Sequence, residues 1–310
     1  MELALLLLKK LVSLFIVLMA GWALVRTKVL KAEHGKTLSA VLVYVIVPCA
    51  TVNSFLSVAG SDQLLLNMLV LLGAALIIQG GFALIGRGLR QPLRLDEVEQ
   101  ASITYSNAGN LILPLITSML GPEYIVYCVP FMAMQTIFLW THCRSLISGE
   151  RGAQWKKILF NPPLMSVPLG LVLFLTGAQL PDVLSDTLSS VSGMIGPVTM
   201  LVVGMLMGGM SMKKVFSYKK LWMVVAFRLV VLPLLALVFL RFALVPFLPQ
   251  ETAKLLLITL LAAAAPAGAT VTNLSQLYDK DADYAGTINV VTMLCCIVTM
   301  PALIALYQLF

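Results

Sequence analysis

Two short stretches carry the residues whose types and spacing could do chemistry within an otherwise apolar chain. The first is Ser106-Asn107-Ala108-Gly109-Asn110, followed by Pro114; the second is Pro266-Ala267-Gly268-Ala269-Thr270, followed by Thr272-Asn273. Proline removes an amide donor and blocks one helical hydrogen bond, and glycine weakens a helix further. Each stretch therefore predicts a helix interrupted partway along. At such a break, half-helix N-termini offer bare N–H groups and partial positive charge to an anion. Kinked but continuous helices, with Asn107 and Asn110 bonding neighbouring helices, are the plainer alternative. The candidate binding residues drawn from the two stretches are Asn107, Gly109, Asn110, Pro114, Pro266, Gly268, Thr270 and Asn273. Asn53 and Gln135 join them as polar residues in other apolar runs, each facing the same cavity or bonding a neighbouring helix.

The elements that must position these residues follow from composition. The chain has 310 residues, 60% hydrophobic and only 11% charged, with a mean hydropathy of +0.97. Ordinary soluble domains carry about 25% charged residues, so 21 basic and 14 acidic side chains are too few to wet a 33.6 kDa globule. That excludes a soluble enzyme and makes lipid the expected solvent. The net charge of +7 is confined to particular loops, so no nucleic-acid-binding stripe is implied. Cys49, Cys128, Cys143, Cys295 and Cys296 show no CxxC or Cys/His spacing, and neither a disulfide framework, a metal site nor a cofactor is suggested. The opening MELALLLLKKL places an acid first and lysines after an apolar run, the wrong order for a cleaved signal peptide, and it reads as the first span.

Ten apolar stretches follow, near 4–25, 38–58, 64–86, 100–119, 124–147, 160–178, 188–210, 221–245, 253–274 and 284–309. They are too long and too uniformly apolar for an outer-membrane barrel. Basic residues alternate across the intervening loops. Arg26, Lys28, Lys31 and Lys36 follow span 1, and Arg87, Arg90 and Arg94 follow span 3. Arg144, Arg151, Lys156 and Lys157 follow span 5, Lys213, Lys214, Lys219 and Lys220 follow span 7, and Lys280 follows span 9. The opposite loops hold only Arg241 and Lys254. By the positive-inside rule the richer loops are cytoplasmic and both termini lie on the other side. Pro48 and Pro197 are 149 residues apart, and Pro114 and Pro266 are 152 apart. Two five-span copies insert with opposite orientations because five is odd, an inverted repeat of the kind found in secondary transporters.

The chain resembles the auxin efflux carrier family, bacterial carriers related to the plant PIN proteins. The resemblance covers the whole chain. It is most specific in YSNAGNLILPL of span 4 and in APAGATVTNLSQLYDKDADYAGTINVVTMLCCIVTMPAL, from span 9 into span 10. VYVIVPCATVNSFLS of span 2 and FRLVVLPLLAL of span 8 also follow the family pattern. One departure is Asn110-Leu111-Ile112-Leu113 before Pro114, where members often carry an aromatic residue and a second glycine. The resemblance implies an all-α membrane protein of ten helices in two inverted repeats, 1–150 and 151–310, as in bile-acid/sodium symporters. It further implies a scaffold of spans 1, 2, 6 and 7 and a moving transport domain of spans 3–5 and 8–10. Broken spans 4 and 9 cross at its centre, and the implied activity is elevator-type transport of an organic anion. A homodimer through the scaffold helices is also implied, with proton or sodium open as coupling ion.

The acids fit that expectation. All 14 carboxylates read as lying at termini or in loops, which argues against a carboxylate relay and against a cationic cargo at membrane depth. Arg228 lies about seven residues inside span 8, roughly 10 Å from its inner edge. It either snorkels or pairs structurally, or it acts in gating or anion attraction. His142 reads as interfacial rather than a proton relay, and Asp279–Asp283 as a solvated turn capping span 10. An intramembrane enzyme would need paired aspartates, an HExxH site or an activated serine, none of which occurs at depth. The readings that stand are a secondary carrier of a small organic anion in the bacterial inner membrane and, alternatively, an anion channel or sensor with a transporter-like body.

Overall fold

The computed structural model describes residues 2–57, 63–150, 152–209 and 218–309. Helix makes up 84% of the structure, and among the described residues the only bridge between extended segments is one isolated pair. The helices are α1 (Glu2–Arg26), α2 (His34–Ser57), α3 (Leu64–Arg90), α4 (Glu97–Thr104) and α5 (Ala108–Met119). They continue as α6 (Pro122–Ser148), α7 (Trp155–Leu159), α8 (Pro162–Thr176), α9 (Asp182–Gly208) and α10 (Leu221–Phe247). The chain closes with α11 (Gln250–Ala264), α12 (Ala269–Leu277) and α13 (Ala282–Leu309). Arg151, Lys213, Lys214 and Asp62, used above for orientation and acid placement, lie outside the described residues.

Helix occupies every one of the ten apolar stretches, but seven helices among the described residues are long and apolar enough to cross a bilayer: α1, α2, α3, α6, α9, α10 and α13. The difference from ten comparable spans has two causes. Spans 4 and 9 are each split in two, into α4/α5 and α11/α12. Span 6 stops after 15 residues, where Gly177 turns the chain left-handed at φ 62°, leaving a helix of about 22 Å against a hydrocarbon core of about 30 Å.

Prolines leave a regular mark on the helices. The widened turns Leu42–Ile46, Ala108–Ile112, Phe227–Val231 and Phe239–Leu244 each end two residues before a proline: Pro48, Pro114, Pro233 and Pro246. A proline ring collides with the carbonyl four residues earlier and offers it no N–H. One extra residue in the preceding turn relieves the collision without ending the helix.

This pattern corrects the expected role of Pro114. It sits inside α5, while the chain actually breaks at Tyr105–Asn107. Pro266, by contrast, lies in the second break itself. The 152-residue proline offset therefore does not relate equivalent positions. Glu99 is a second correction: it lies in the first turn of α4, not a loop, and is buried. It completes a capping box with Asp96 (Glu99 N–H to Asp96 Oδ1, 2.7 Å; Asp96 N–H to Glu99 Oε2, 3.0 Å). It also accepts from Lys220 Nζ at 3.2 Å and from the Tyr284 hydroxyl at 3.2 Å.

Two seams of contacts run through the molecule, joined by α1 packing on α13 and α5 and by α9 packing on α5. Along one seam α1 lies against α9, and α2 against α8 and the first half of α9. Along the other, α3 packs on α6, α4 and α11, and α13 on α12 and α10. The α1–α9 seam is close because Gly21, Gly204 and Gly208 line it: a side chain at Gly204 would overlap the Leu18 carbonyl, and one at Gly208 would meet Val25 Cβ at 2.7 Å. Small residues four apart let helix backbones approach in lipid, where packing rather than the hydrophobic effect drives association. Gly204→Val should therefore lower stability by roughly 1–3 kcal/mol through overpacking, read as a lower melting temperature in detergent. Gly73→Ala, whose new methyl meets nothing within 4 Å, should leave that temperature nearly unchanged. Equal behaviour of the two variants would refute the close-seam account.

Candidate functional site: the crossing of two interrupted helices

Between α4 and α5 the chain leaves the helical path for three residues, Tyr105 to Asn107, and between α11 and α12 for four, Ala265 to Gly268. The two pieces lie antiparallel and pair at Ser106 and Ala267. Asn107 N–H donates to the Pro266 carbonyl at 2.7 Å, and Gly268 N–H donates to the Tyr105 carbonyl at 2.9 Å. Irregular backbone inside a membrane is tolerated only where protein or water satisfies it, and here side chains satisfy nearly all of it. Gln135 of α6 donates its amide N–H to the Ser106 carbonyl and accepts from Ser106 Oγ at 2.7 Å. Thr292 Oγ1 of α13 accepts the Ala267 N–H at 3.0 Å, and Asn289 Nδ2 donates to the Ala267 carbonyl. Gly268 is required by close approach: a Cβ there would stand 2.9 Å from the Ser106 carbonyl oxygen.

Arg228 of α10 holds the other side of the crossing. Its side chain is fully buried (0% exposed) and points at the C-terminal ends of α4 and α11. Nε donates to Ala265 O at 2.9 Å, one terminal nitrogen to Ile103 O at 3.0 Å and Thr104 O at 3.3 Å, and the other to Ala263 O. The guanidinium also lies 5.8 Å from the Phe82 ring centroid, within cation–π range. Helix C-termini expose unpaired carbonyls and partial negative charge. One guanidinium thus neutralises two half-helix ends at once, without an ion pair to any carboxylate among the described residues. Of the alternatives read from the sequence, this geometry is structural pairing: Arg228 does not snorkel to the surface, and it does not line the cavity described next.

The opposite ends of the broken helices open on a cavity of about 190 Å³. Ser106, Asn107, Ala108, Gly109, Asn110 and Thr270 form the crossing side of its wall. Val129, Met132, Ala133, Gln135, Thr136 and Leu139 of α6 form another side, and Val43 and Thr51 of α2 with Asn161, Pro163, Leu164 and Val167 at the start of α8 close it. The N–H groups of Ala108, Gly109 and Asn110, and of Ala269 and Thr270, are first-turn donors with no hydrogen bond among the described residues. Asn107 is 6% exposed, and its Nδ2 has no partner. A buried amide left unpaired costs about 1–3 kcal/mol, so a ligand accepting from it recovers that energy. The wall carries no charged residue; it is apolar over much of α2, α6 and α8, with its donors gathered on the crossing side, where they suit an anionic oxygen.

Of the residues proposed from sequence, Asn107, Gly109, Asn110, Gln135 and Thr270 meet at this cavity. Gln135 spends both ends of its amide on Ser106, so it positions the crossing. Pro266 and Gly268 belong to the crossing rather than the cavity wall. Pro114 is buried in α5 and does not line the cavity. Asn53 is buried in α2 away from it. Asn273 is exposed on the outer face of α12, whose buried stripe runs through Val271, Leu274 and Ser275. Asn289 and Thr292 were not foreseen. Their spacing of three in an apolar helix was the available signal, since it places both on one face. Tyr105 likewise gained a role unseen in sequence, its hydroxyl lying 2.6 Å from His142 Nδ1.

Long apolar helices around a satisfied backbone break define a multi-pass membrane protein with an internal polar site. The chain matches the family described as Membrane transport protein, the auxin efflux carrier family domain, over residues 6–154 and 151–304, and it belongs to that family. Comparison with curated proteins gives no match.

Replacing Arg228 by Ala strands four backbone carbonyls in the interior. At about 1–3 kcal/mol for each buried group left unsatisfied, it should abolish a cooperative melt or lower it strongly. Arg228→Lys keeps the charge but not the fork of donors and should melt between the two. A melting temperature for Arg228→Ala within a degree of the parent would refute the clamp.

Proposed function

We propose that this protein is a secondary carrier that moves a small organic anion, a carboxylate of auxin-like or dicarboxylate type, across the bacterial inner membrane by alternating access. The observation that carries the reading is the unpaired Asn107 Nδ2 beside two half-helix N-termini, all at one cavity. An anion entering it gains several donors already aimed, so little ordering energy is lost on binding. In this reading the ten helical stretches form two inverted five-helix repeats, 1–150 and 151–310, with both termini on the non-cytoplasmic side. The two family matches meet at residues 151–154, beside that boundary.

The cavity's position supports an elevator-type cycle. One wall comes from α2 and α8, of the proposed scaffold with α1 and α9; the other comes from α5, α6 and α12, of the proposed moving body. The crossing bonds tie α4, α5, α6, α11, α12 and α13 to one another, and Arg228 adds α10. Such a body can shift against the scaffold without breaking the site it carries. The glycine-lined α1–α9 seam suits the part that stays still, and a homodimer through the scaffold fits the same division. The reading assigns no coupling ion, proton or sodium.

Uptake of radiolabelled benzoate and malate into proteoliposomes tests the proposal. At least one should enter saturably, and Asn107→Ala should cut that flux roughly tenfold to a hundredfold, the value of a lost hydrogen bond to a charged group. Flux that rises linearly with concentration and ignores Asn107→Ala would contradict it.

A further inference from the structure

A second depression lies on the Lys/Arg-rich side of the molecule, between the C-terminal ends of α3 and α6 and the middle of α4. Its wall includes Leu84, Arg87 and Arg90 of α3, Gln100 of α4, and His142 and Ser145 of α6, around about 840 Å³. Glycine makes it possible: a Cβ at Gly86 would meet Thr104 Oγ1 at 2.5 Å, so only glycine lets α4 come this near to α3.

Three features fix the chemistry of an occupant. Arg87 is exposed and forms no ion pair among the described residues, while Arg90 shares its charge with Glu97 at 2.8 Å. The wall therefore carries net positive charge next to a hydroxyl and an imidazole. Gln100 is 1% exposed, yet its side-chain oxygen has no hydrogen-bond partner, so the wall also holds a buried acceptor awaiting a donor. Leu84, one turn before Arg87 on the same helix, is 72% exposed, so the depression has an exposed apolar rim on a helix long and apolar enough to cross a bilayer. Charge above, an unpaired acceptor inside and an exposed apolar rim match a phospholipid: phosphate on the arginines, a headgroup hydroxyl on Gln100, and an acyl chain along Leu84.

We propose that this depression is a binding site for an anionic, hydroxyl-bearing phospholipid headgroup of the leaflet facing the Lys/Arg-rich loops. The site communicates with the crossing through a short chain of contacts. His142 Nδ1 lies 2.6 Å from the Tyr105 hydroxyl, and the Tyr105 carbonyl accepts the Gly268 N–H. A headgroup seated on His142 therefore bears on the residue that closes the backbone pair.

Thermal unfolding of the purified full-length protein in detergent tests the proposal without reference to transport, so its outcome is independent of the carrier reading. Dioctanoyl phosphatidylglycerol should raise the melting temperature saturably, and dioctanoyl phosphatidylcholine should not. Arg87→Gln should weaken the apparent affinity roughly fivefold, the share of one basic residue at an anionic membrane surface, and Lys156→Gln on the short helix α7, outside the depression, should leave it intact. Gln100→Leu keeps the volume and removes the acceptor; it should lessen the preference for phosphatidylglycerol over dioctanoyl phosphatidic acid. An equal shift with phosphatidylcholine, an equal loss with Lys156→Gln, or saturation by inorganic phosphate alone would each overturn the proposal. The last outcome would mark a site for a soluble phosphate in place of a lipid.

Discussion

The structure depends on two backbone hydrogen bonds deep in an apolar chain, Asn107 N–H to Pro266 O and Gly268 N–H to Tyr105 O. A helix satisfies its own backbone, and in lipid any departure must be satisfied by neighbours. Here two departures satisfy each other. The remaining groups are covered from outside the pair: Ser106 by Gln135, Ala267 by Thr292 and Asn289, and four helix-end carbonyls by Arg228. Gly268 is the steric condition for the pairing, because no side chain fits between it and Ser106.

The backbone groups left unpaired are as informative as those that are paired. The carbonyl ends of α4 and α11 are closed by a permanent cation, while the N–H ends of α5 and α12 are left bare toward the cavity. The two halves of the crossing thus have opposite electrostatic fates. The negative ends are neutralised internally, and the positive ends are offered to a solute. Because the same bonds that build the cavity wall also tie several helices together, a shift of that group would carry the wall intact.

Much of this was legible in the chain. Low charge and long apolar runs require lipid, and the two clusters of glycine, proline and small polar residues mark the interruptions. Asn107, Gly109, Asn110 and Thr270 were readable because polar residues at a break must face something polar. The finer placement was not. Pro114 reads as the breaker, but a widened turn absorbs it and the chain parts seven residues earlier, at Asn107. Asn273 lies near Thr270 in sequence, yet the buried stripe of α12 turns it outward. Arg228 could be seen as a lone base at depth, but not as a cap, since its partners are 35 to 125 residues distant and are backbone atoms without a sequence signature. Gln135 and Ser106 meet across 29 residues for the same reason.

The most direct measurement is a density map of the protein with bound 4-bromobenzoate, its bromine located by anomalous scattering. The account predicts a carboxylate within hydrogen-bond distance of Asn107 Nδ2 and the first-turn N–H groups of α5 or α12, with the bromine further out in the cavity. A carboxylate seated against Arg228, or a map in which residues 105–107 and 265–268 are continuous helix and do not pair, would contradict it.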